Sequence, residues 1–238
     1  MVTGAAEPAA RVIRKVAAAY RAPFHSVTEE TTVESASADL RGSNITVRTP
    51  VRLYHDLYVG LPGRHQIQNA RTAIRAVEIA LNEVRSDHLA VFEGLRHVRE
   101  LSGLRARLEV LRDDPLVVAD VGHNVGGLAS ALEHLRDAGR LGGRLVVLFG
   151  VMRDKNVNEM AQLLAEYGAV VWPVPIDSPR ALSAAELQDV LRGFDVDTGE
   201  PCTVEEGIRS FLSNASHADI LLVTGSHLVV SQLETASV

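Results

Sequence analysis

Asp120, His123 and Asn124 place a carboxylate, an imidazole and a carboxamide within one five-residue stretch, with Gly122 between them. A carboxylate here can accept ribose hydroxyls or approach a metal, and an imidazole can donate to a phosphate or carboxylate. There are two further polar clusters. Asp154-Lys155-Asn156 follows Leu148-Phe149-Gly150, and Thr224-Gly225-Ser226-His227 follows Leu222-Val223. Each residue also has a plain structural reading: Asp120 and Asn124 as turn or cap residues, Asp154-Lys155 as a solvated turn, and Ser226 as a helix cap.

All three clusters follow short apolar runs. Leu116-Val117-Val118-Ala119, bounded by Pro115 and the polar residues, reads as a buried strand feeding a helix. From Arg107 onward, strand candidates (Arg107–Leu111, Leu116–Ala119, Leu145–Phe149, Ala169–Trp172 and Ile220–Val223) alternate with helix candidates near 126–138, 157–167, 183–192, 203–214 and 227–233. That alternation predicts βαβ units and a mostly parallel sheet flanked by helices, an α/β fold. In a parallel sheet the three clusters share one edge, where open α/β sheets bind ligands. Together they offer carboxylate, imidazole, ammonium and hydroxyl groups with helix N-terminal amides, a set suited to an anionic or zwitterionic ligand.

The preceding part of the chain has a different pattern. Val12, Val16 and Ala19/Tyr20, with Ile13 and Ala17 beside them, form a helical stripe ending before Pro23. Short β-prone pieces between Phe24 and Val59, such as Ile45–Arg48 and Val51–Tyr54, resemble strands of a sheet edge. After the turn Leu61–Gln66, Ile67, Ala70, Ile74, Val77, Leu81 and Val84 recur at helical spacing, and a second helix is expected from about Asp87 to His97. The domain boundary is expected near Ser102-Gly103-Leu104, giving domains 1–101 and 102–238.

Hydrophobic content of 46% and charged content of 23% are those of an ordinary globular protein. A formal charge of −6 gives no electrostatic reason to expect nucleic acid or an anionic membrane as partner. Cys202 is the only cysteine, so an intrachain disulfide is impossible. No apolar run approaches the roughly 20 residues of a membrane helix, and a cytoplasmic protein is expected. The sequence contains neither GxxxxGK[ST] nor GxGxxG, and nothing in it resembles a nucleophile elbow or a zinc site.

Read together, six motifs resemble those of the folylpolyglutamate synthase/dihydrofolate synthase family, relatives of the Mur ligases. They are Gly63-Arg64-His65-Gln66-Ile67-Gln68-Asn69-Ala70, Arg107-Leu108-Glu109-Val110, Asp120-Val121-Gly122-His123-Asn124, Asp154-Lys155-Asn156, Asp177-Ser178-Pro179-Arg180-Ala181 and Val223-Thr224-Gly225-Ser226. Their order and spacing match across nearly the whole chain. Two positions depart from the family pattern: Ala106 stands where a glycine usually precedes the arginine, and Asn156 replaces the aspartate of D-K-D.

The resemblance implies a partial central ATPase domain followed by a Rossmann-like ligase domain, the C-terminal half of such an enzyme. It implies ATP-driven ligation of L-glutamate to a folate or pteroate carboxylate through an acyl phosphate. Asn69, Arg107, Asp120 and Lys155 would bind ATP, and His123 and Ser226 would bind glutamate. The phosphate loop, the Mg2+ ligands and the pteroate loop would lie upstream, so the 238 residues alone are expected to be inactive. A non-catalytic binding or assembly module, or half of a Mur-type amino-acid ligase, are the alternatives. Helix faces such as Ile67/Ile74/Val77/Leu81 are expected to lack partners and to favour self-association.

Overall fold

A computed structural model describes residues 1–81 and 88–234. The chain forms two compact units, Met1–Leu104 and Arg105–Val238.

The first unit contains β1 (Val2–Thr3), α1 (Ala9–Ala19), β2 (His25–Ser26), α2 (Val27–Glu30), β3 (Thr32–Ala38), β4 (Ser43–Arg48), β5 (Leu53–Val59), α3 (Arg64–Ala80), α4 (His88–Arg96) and α5 (Val98–Ser102). β1 and β2 pair in parallel, whereas β3, β4 and β5 form a separate antiparallel sheet in that order. The pieces expected at the edge of a larger sheet therefore make a sheet of their own. One face of it, with Ile45, Val47, Tyr54 and Leu57, is buried together with Ala70 and Ile74 of α3.

Two helical stripes are corrected by the structure. On α1 the buried residues are Ala10 and Ala17, while Val12 (61% exposed), Val16 (43%) and Tyr20 (81%) face outward. Alanine packs the backbone of α1 closer than valine would, so the small residues take the inner face. On α3 the inner face holds Gln66, Ala70, Ile74, Arg75 and Glu78. Ile74 has its partners in the sheet, Ile67 is half-buried against the same core, and Val77 and Leu81 remain exposed. Val84 and Asp87 lie outside the described residues.

Glu78 is fully buried because three donors hold it. Thr49 Oγ1 donates to Oε1 at 2.7 Å and the Tyr54 hydroxyl at 3.1 Å, while Arg75 Nη1 donates to Oε2 at 3.2 Å. Arg75 Nε in turn donates to Glu30 Oε2 at 2.6 Å, and Glu30 Oε1 meets His25 Nδ1 at 3.0 Å. This ion network ties β2, α2 and α3 to the sheet; a buried charge is tolerated only with such partners.

The second unit runs β6 (Glu109–Asp113), β7 (Leu116–Ala119), α6 (Val125–Asp137), β8 (Leu145–Phe149), α7 (Val157–Glu166), β9 (Val170–Pro173), α8 (Ala184–Arg192), α9 (Val204–Asn214), β10 (Ile220–Thr224) and α10 (His227–Val230), then a 3-10 turn at Ser231–Glu234. The sheet order is β6-β7-β10-β8-β9, with β6 antiparallel and the rest parallel, the mostly parallel α/β sheet that the alternation predicted. Every residue of β7, β8 and β10 is buried. Val117, Ala119, Val146, Leu148, Leu221 and Val223 pack with Val204, Ile208 and Phe211 of α9 and with Val229 and Val230 of α10. The alternate strand residues are equally buried, as strand geometry requires when helices cover both faces.

Two expected elements of the second unit change most. The strand expected at Arg107–Leu111 begins at Glu109, because Ala106 (φ +51°) and Leu108 (φ +50°) are in the left-handed region and cannot continue a pleat. The last expected helix, 227–233, is a single α turn followed by the 3-10 turn.

Candidate functional site

The register of the parallel strands brings the three polar clusters to one level. Val223 of β10 is opposite Ala119 of β7, and Thr224 is opposite Phe149 of β8. The loops that follow are then tied together. Asp120 N donates to Val223 O at 2.9 Å, and Gly122 O accepts from Gly225 N at 3.0 Å and from Thr224 Oγ1 at 3.2 Å. Gly225 has φ +104°, and a Cβ there would lie 2.4 Å from Gly150 O, so the loops after β8 and β10 cross at a position where a side chain cannot fit.

Asp120 is 8% exposed and organises the backbone around it. Its Oδ2 accepts from Leu108 N at 2.9 Å and its Oδ1 from Gly122 N at 2.7 Å. One carboxylate thus fixes both its own loop and the turn that carries Arg107. Arg107 stands half-buried between the two left-handed residues. Val121 N donates to Ala106 O at 2.9 Å, and Glu109 Oε2 accepts from Ala106 N at 2.7 Å. A glycine would adopt this φ without cost; alanine does so at about 1–2 kcal/mol, offset by these bonds.

His123 is half-buried, with Nδ1 3.2 Å from Val121 O. Asn124 caps α6, its side chain accepting from Gly127 N at 2.8 Å. Ser226, 4% exposed, caps α10 by accepting from Leu228 N at 3.2 Å. Asn156 likewise caps α7, accepting from Glu159 N at 3.4 Å. Asparagine and aspartate are comparable caps, which accounts for the tolerance of Asn at this position. Lys155 Nζ lies 3.5 Å from Asp154 Oδ2, and Arg180 Nη2 reaches Asp154 Oδ1 at 3.4 Å. Asn69, in the first unit, is exposed on α3 and donates to Gln66 Oε1 at 2.9 Å.

The loops after β7 and β10 therefore bring Asp120, His123 and Ser226 together, with Arg107 pinned beside them by Asp120. Lys155 sits on the next loop after β8, and Asn69 belongs to the other unit. His227 is a member of the cluster to which the motif reading assigns no ligand. Its ring lies 5.7 Å from that of His123, and burial, then the nearby Arg107 charge and His123, hold its pKa below the ordinary histidine value. Its position directly after Thr-Gly-Ser was the available signal. The buried Arg75–Glu78 pair had a signal too, an acidic residue set on an otherwise apolar helical stripe.

Among the described residues no group of three or more His, Cys, Asp or Glu side chains is arranged to hold a metal. Among them, too, no helix is long and apolar enough to cross a membrane.

Comparison with known proteins agrees with this geometry. The chain is 28% identical over 234 residues to the dihydrofolate synthase/folylpolyglutamate synthase of Bacillus subtilis, covering 98% of this chain and 53% of that protein. It is 29% identical to a UDP-N-acetylmuramoyl-L-alanyl-D-glutamate–2,6-diaminopimelate ligase of Helicobacter hepaticus, over 69% of this chain and 34% of the relative. The structure of Mycobacterium tuberculosis folylpolyglutamate synthase complexed with ADP superposes with a TM-score of 0.83 at 25% identity, covering 98% of this chain and 54% of that one. The chain thus spans about half the length of the folylpolyglutamate synthases it matches. The family model for the Mur ligase glutamate ligase domain matches residues 106–227, just over half of the sequence, and includes every element of the sheet edge described above. By that match the chain belongs to the Mur ligase family and carries its glutamate ligase domain.

Proposed function

We propose that these residues form the nucleotide- and amino-acid-receiving part of an ATP-dependent ligase that joins L-glutamate to a folate or pteroate carboxylate. The observation that carries the reading is the convergence of Arg107, Asp120, His123 and Ser226 at the carboxyl edge of adjacent parallel strands, in a chain of this family. Asn69 is assigned to adenine, whose edge an amide matches as both donor and acceptor. Asp120 is assigned to ribose hydroxyls, Arg107 and Lys155 to phosphates, and His123 and Ser226 to glutamate. In the reaction, the substrate carboxylate oxygen attacks the γ-phosphorus and ADP leaves. The glutamate amine then attacks the acyl carbon, forming the C–N bond as phosphate departs and the amine proton passes to solvent. The contribution of this part of the protein is positioning and charge compensation.

The test is calorimetric titration of ADP into the 238-residue protein and its Asn69→Ala, Arg107→Ala and Asp120→Ala variants. Each substitution removes one to two polar contacts and should weaken ADP by about 5- to 50-fold. Unchanged affinity in all three would sink the assignment. Because the sequence contains no GxxxxGK[ST] loop, we further propose that this polypeptide by itself turns over neither ATP nor folate. Clear turnover by the purified chain would overturn that.

The likeness to the diaminopimelate ligase favours a second reading, a cell-wall amino-acid ligase. Competition of L-glutamate against diaminopimelate for the site distinguishes the two.

A further inference from the structure

Arg107 stands between two left-handed residues, Ala106 (φ +51°) and Leu108 (φ +50°), so the direction in which its side chain leaves the turn depends on both of them staying there. Residues with a Cβ resist that region, because the Cβ crowds the carbonyl oxygen that follows. Each of the two is held by a carboxylate on its amide. Leu108 N donates to Asp120 Oδ2 at 2.9 Å, and Ala106 N donates to Glu109 Oε2 at 2.7 Å. The two carboxylates start from neighbouring points of the sheet, since Glu109 opens β6 and pairs with Ala119, the residue before Asp120. Asp120 has a ligand in the functional reading, whereas Glu109 has none.

Glu109 also has a plainer use as an ion-pair partner, with Arg105 Nε 2.9 Å from its Oε1 and 3.0 Å from its Oε2. The Arg105 side chain is 70% exposed, however, and an ion pair so open to water contributes little. Ala106 is only 1% exposed, and an amide buried there is strongly unfavourable without an acceptor. The bond to Ala106 N is therefore the one of greater consequence. Without it Ala106 is free to return to negative φ, and the Arg107 backbone swings with it up to the clasp at Leu108 N. A planar guanidinium binds an oxyanion well only along its fork, so a change of direction at the backbone forfeits contacts at the tip.

We propose that Glu109 is a positioning residue, whose carboxylate holds Ala106 in the left-handed region and thereby aims Arg107 at its ligand. This rests on the assignment of Arg107 to nucleotide phosphates and adds to it the group that orients the arginine.

The experiment is a double-mutant cycle read by calorimetric titration of ADP into the 238-residue protein. The variants are Glu109→Ala, Glu109→Gln, Arg107→Ala and Glu109→Ala combined with Arg107→Ala, each shown to be folded by its urea transition. Glu109→Ala should weaken ADP by about 5- to 10-fold. Glu109→Gln, whose amide oxygen still accepts from Ala106 N but offers no charge to Arg105, should stay within about twofold of the parent. In the Arg107→Ala background, Glu109→Ala should add less than about twofold, because a residue that acts through Arg107 has nothing left to position. A merely structural role would instead leave the ADP affinity of the folded protein alone, or weaken it by the same factor in both backgrounds. Either result, with Arg107→Ala itself weakening ADP, overturns the proposal and leaves the functional reading standing. So does a Glu109→Gln variant as weak as Glu109→Ala, which would assign the effect to charge. Should Glu109→Ala not fold, Glu109→Leu, which keeps the stem and removes the acceptor, takes its place in the cycle with the same expected outcomes. If Arg107→Ala and Asp120→Ala both leave ADP unaffected, the functional reading fails and this proposal with it.

Discussion

Glu78 and Asp120 are both buried carboxylates, yet they have opposite surroundings. Glu78 is enclosed by side chains, with Thr49, Tyr54 and Arg75 donating to it and Arg75 bridging onward to Glu30. Asp120 is met by backbone amides, Leu108 N and Gly122 N, at the end of an apolar strand. The first arrangement joins side chains of α2, α3 and β5 and serves as a cross-link. Backbone donors meet the second, so it holds the turn that carries Arg107 against the loop that carries His123. The two units show the same division. The first holds its ion network beneath α3 and leaves Val77 and Leu81 on an apolar groove of about 290 Å³ with Val91, Leu95 and Val98. The second buries β7, β8 and β10 completely and keeps its polarity at the sheet edge.

The comparison can be broken most forcefully at Arg75. Arg75→Met leaves Glu78 buried with an unpaired charge, and a loss of about 3–5 kcal/mol of stability is expected in urea unfolding. A loss below 1 kcal/mol would show that the network is not the cross-link described. At the other carboxylate, Asp120→Asn keeps the shape but turns an NH2 group toward one of two backbone donors. It should cost about 1–3 kcal/mol and weaken ADP as well, whereas Arg75→Met should leave the ADP affinity of the folded protein unchanged. Equal effects of both variants on ADP would erase the distinction. The smallest effect is expected at Ala106. Ala106→Gly relieves the left-handed strain but loosens the unfolded chain and removes a buried methyl, so the net change should stay within about 1 kcal/mol. Ala106→Val, whose branched side chain resists positive φ, should lose at least about 2 kcal/mol and weaken nucleotide through the displaced Arg107.

The second unit was largely legible because each strand is a short, fully apolar run ending in polar residues, a local pattern that survives without knowledge of its neighbours. Leu116–Ala119 and Leu145–Phe149 have the observed bounds as predicted. The first unit was less legible. Val12, Val16 and Tyr20 look like an inward stripe from their spacing, but spacing gives only the period and leaves the phase open, so Ala10 and Ala17 could take the inner face. Arg107-Leu108 reads as the start of a strand because leucine carries no local signal for positive φ; the Asp120 and Glu109 carboxylates impose the turn through Leu108 N and Ala106 N.

The sequence by itself determined the α/β alternation, the polar strand ends and the family motifs, since all are set by residue type and short-range order. Tertiary structure alone decided what those residues do to one another. It made Asp120 the clasp of the Arg107 turn and brought His227 against His123 from the far end of the unit. The physical reason is the register of parallel strands. It joins loops about a hundred residues apart through the hydrogen bonds at Gly122 O, a long-range closure that no local pattern of residues records.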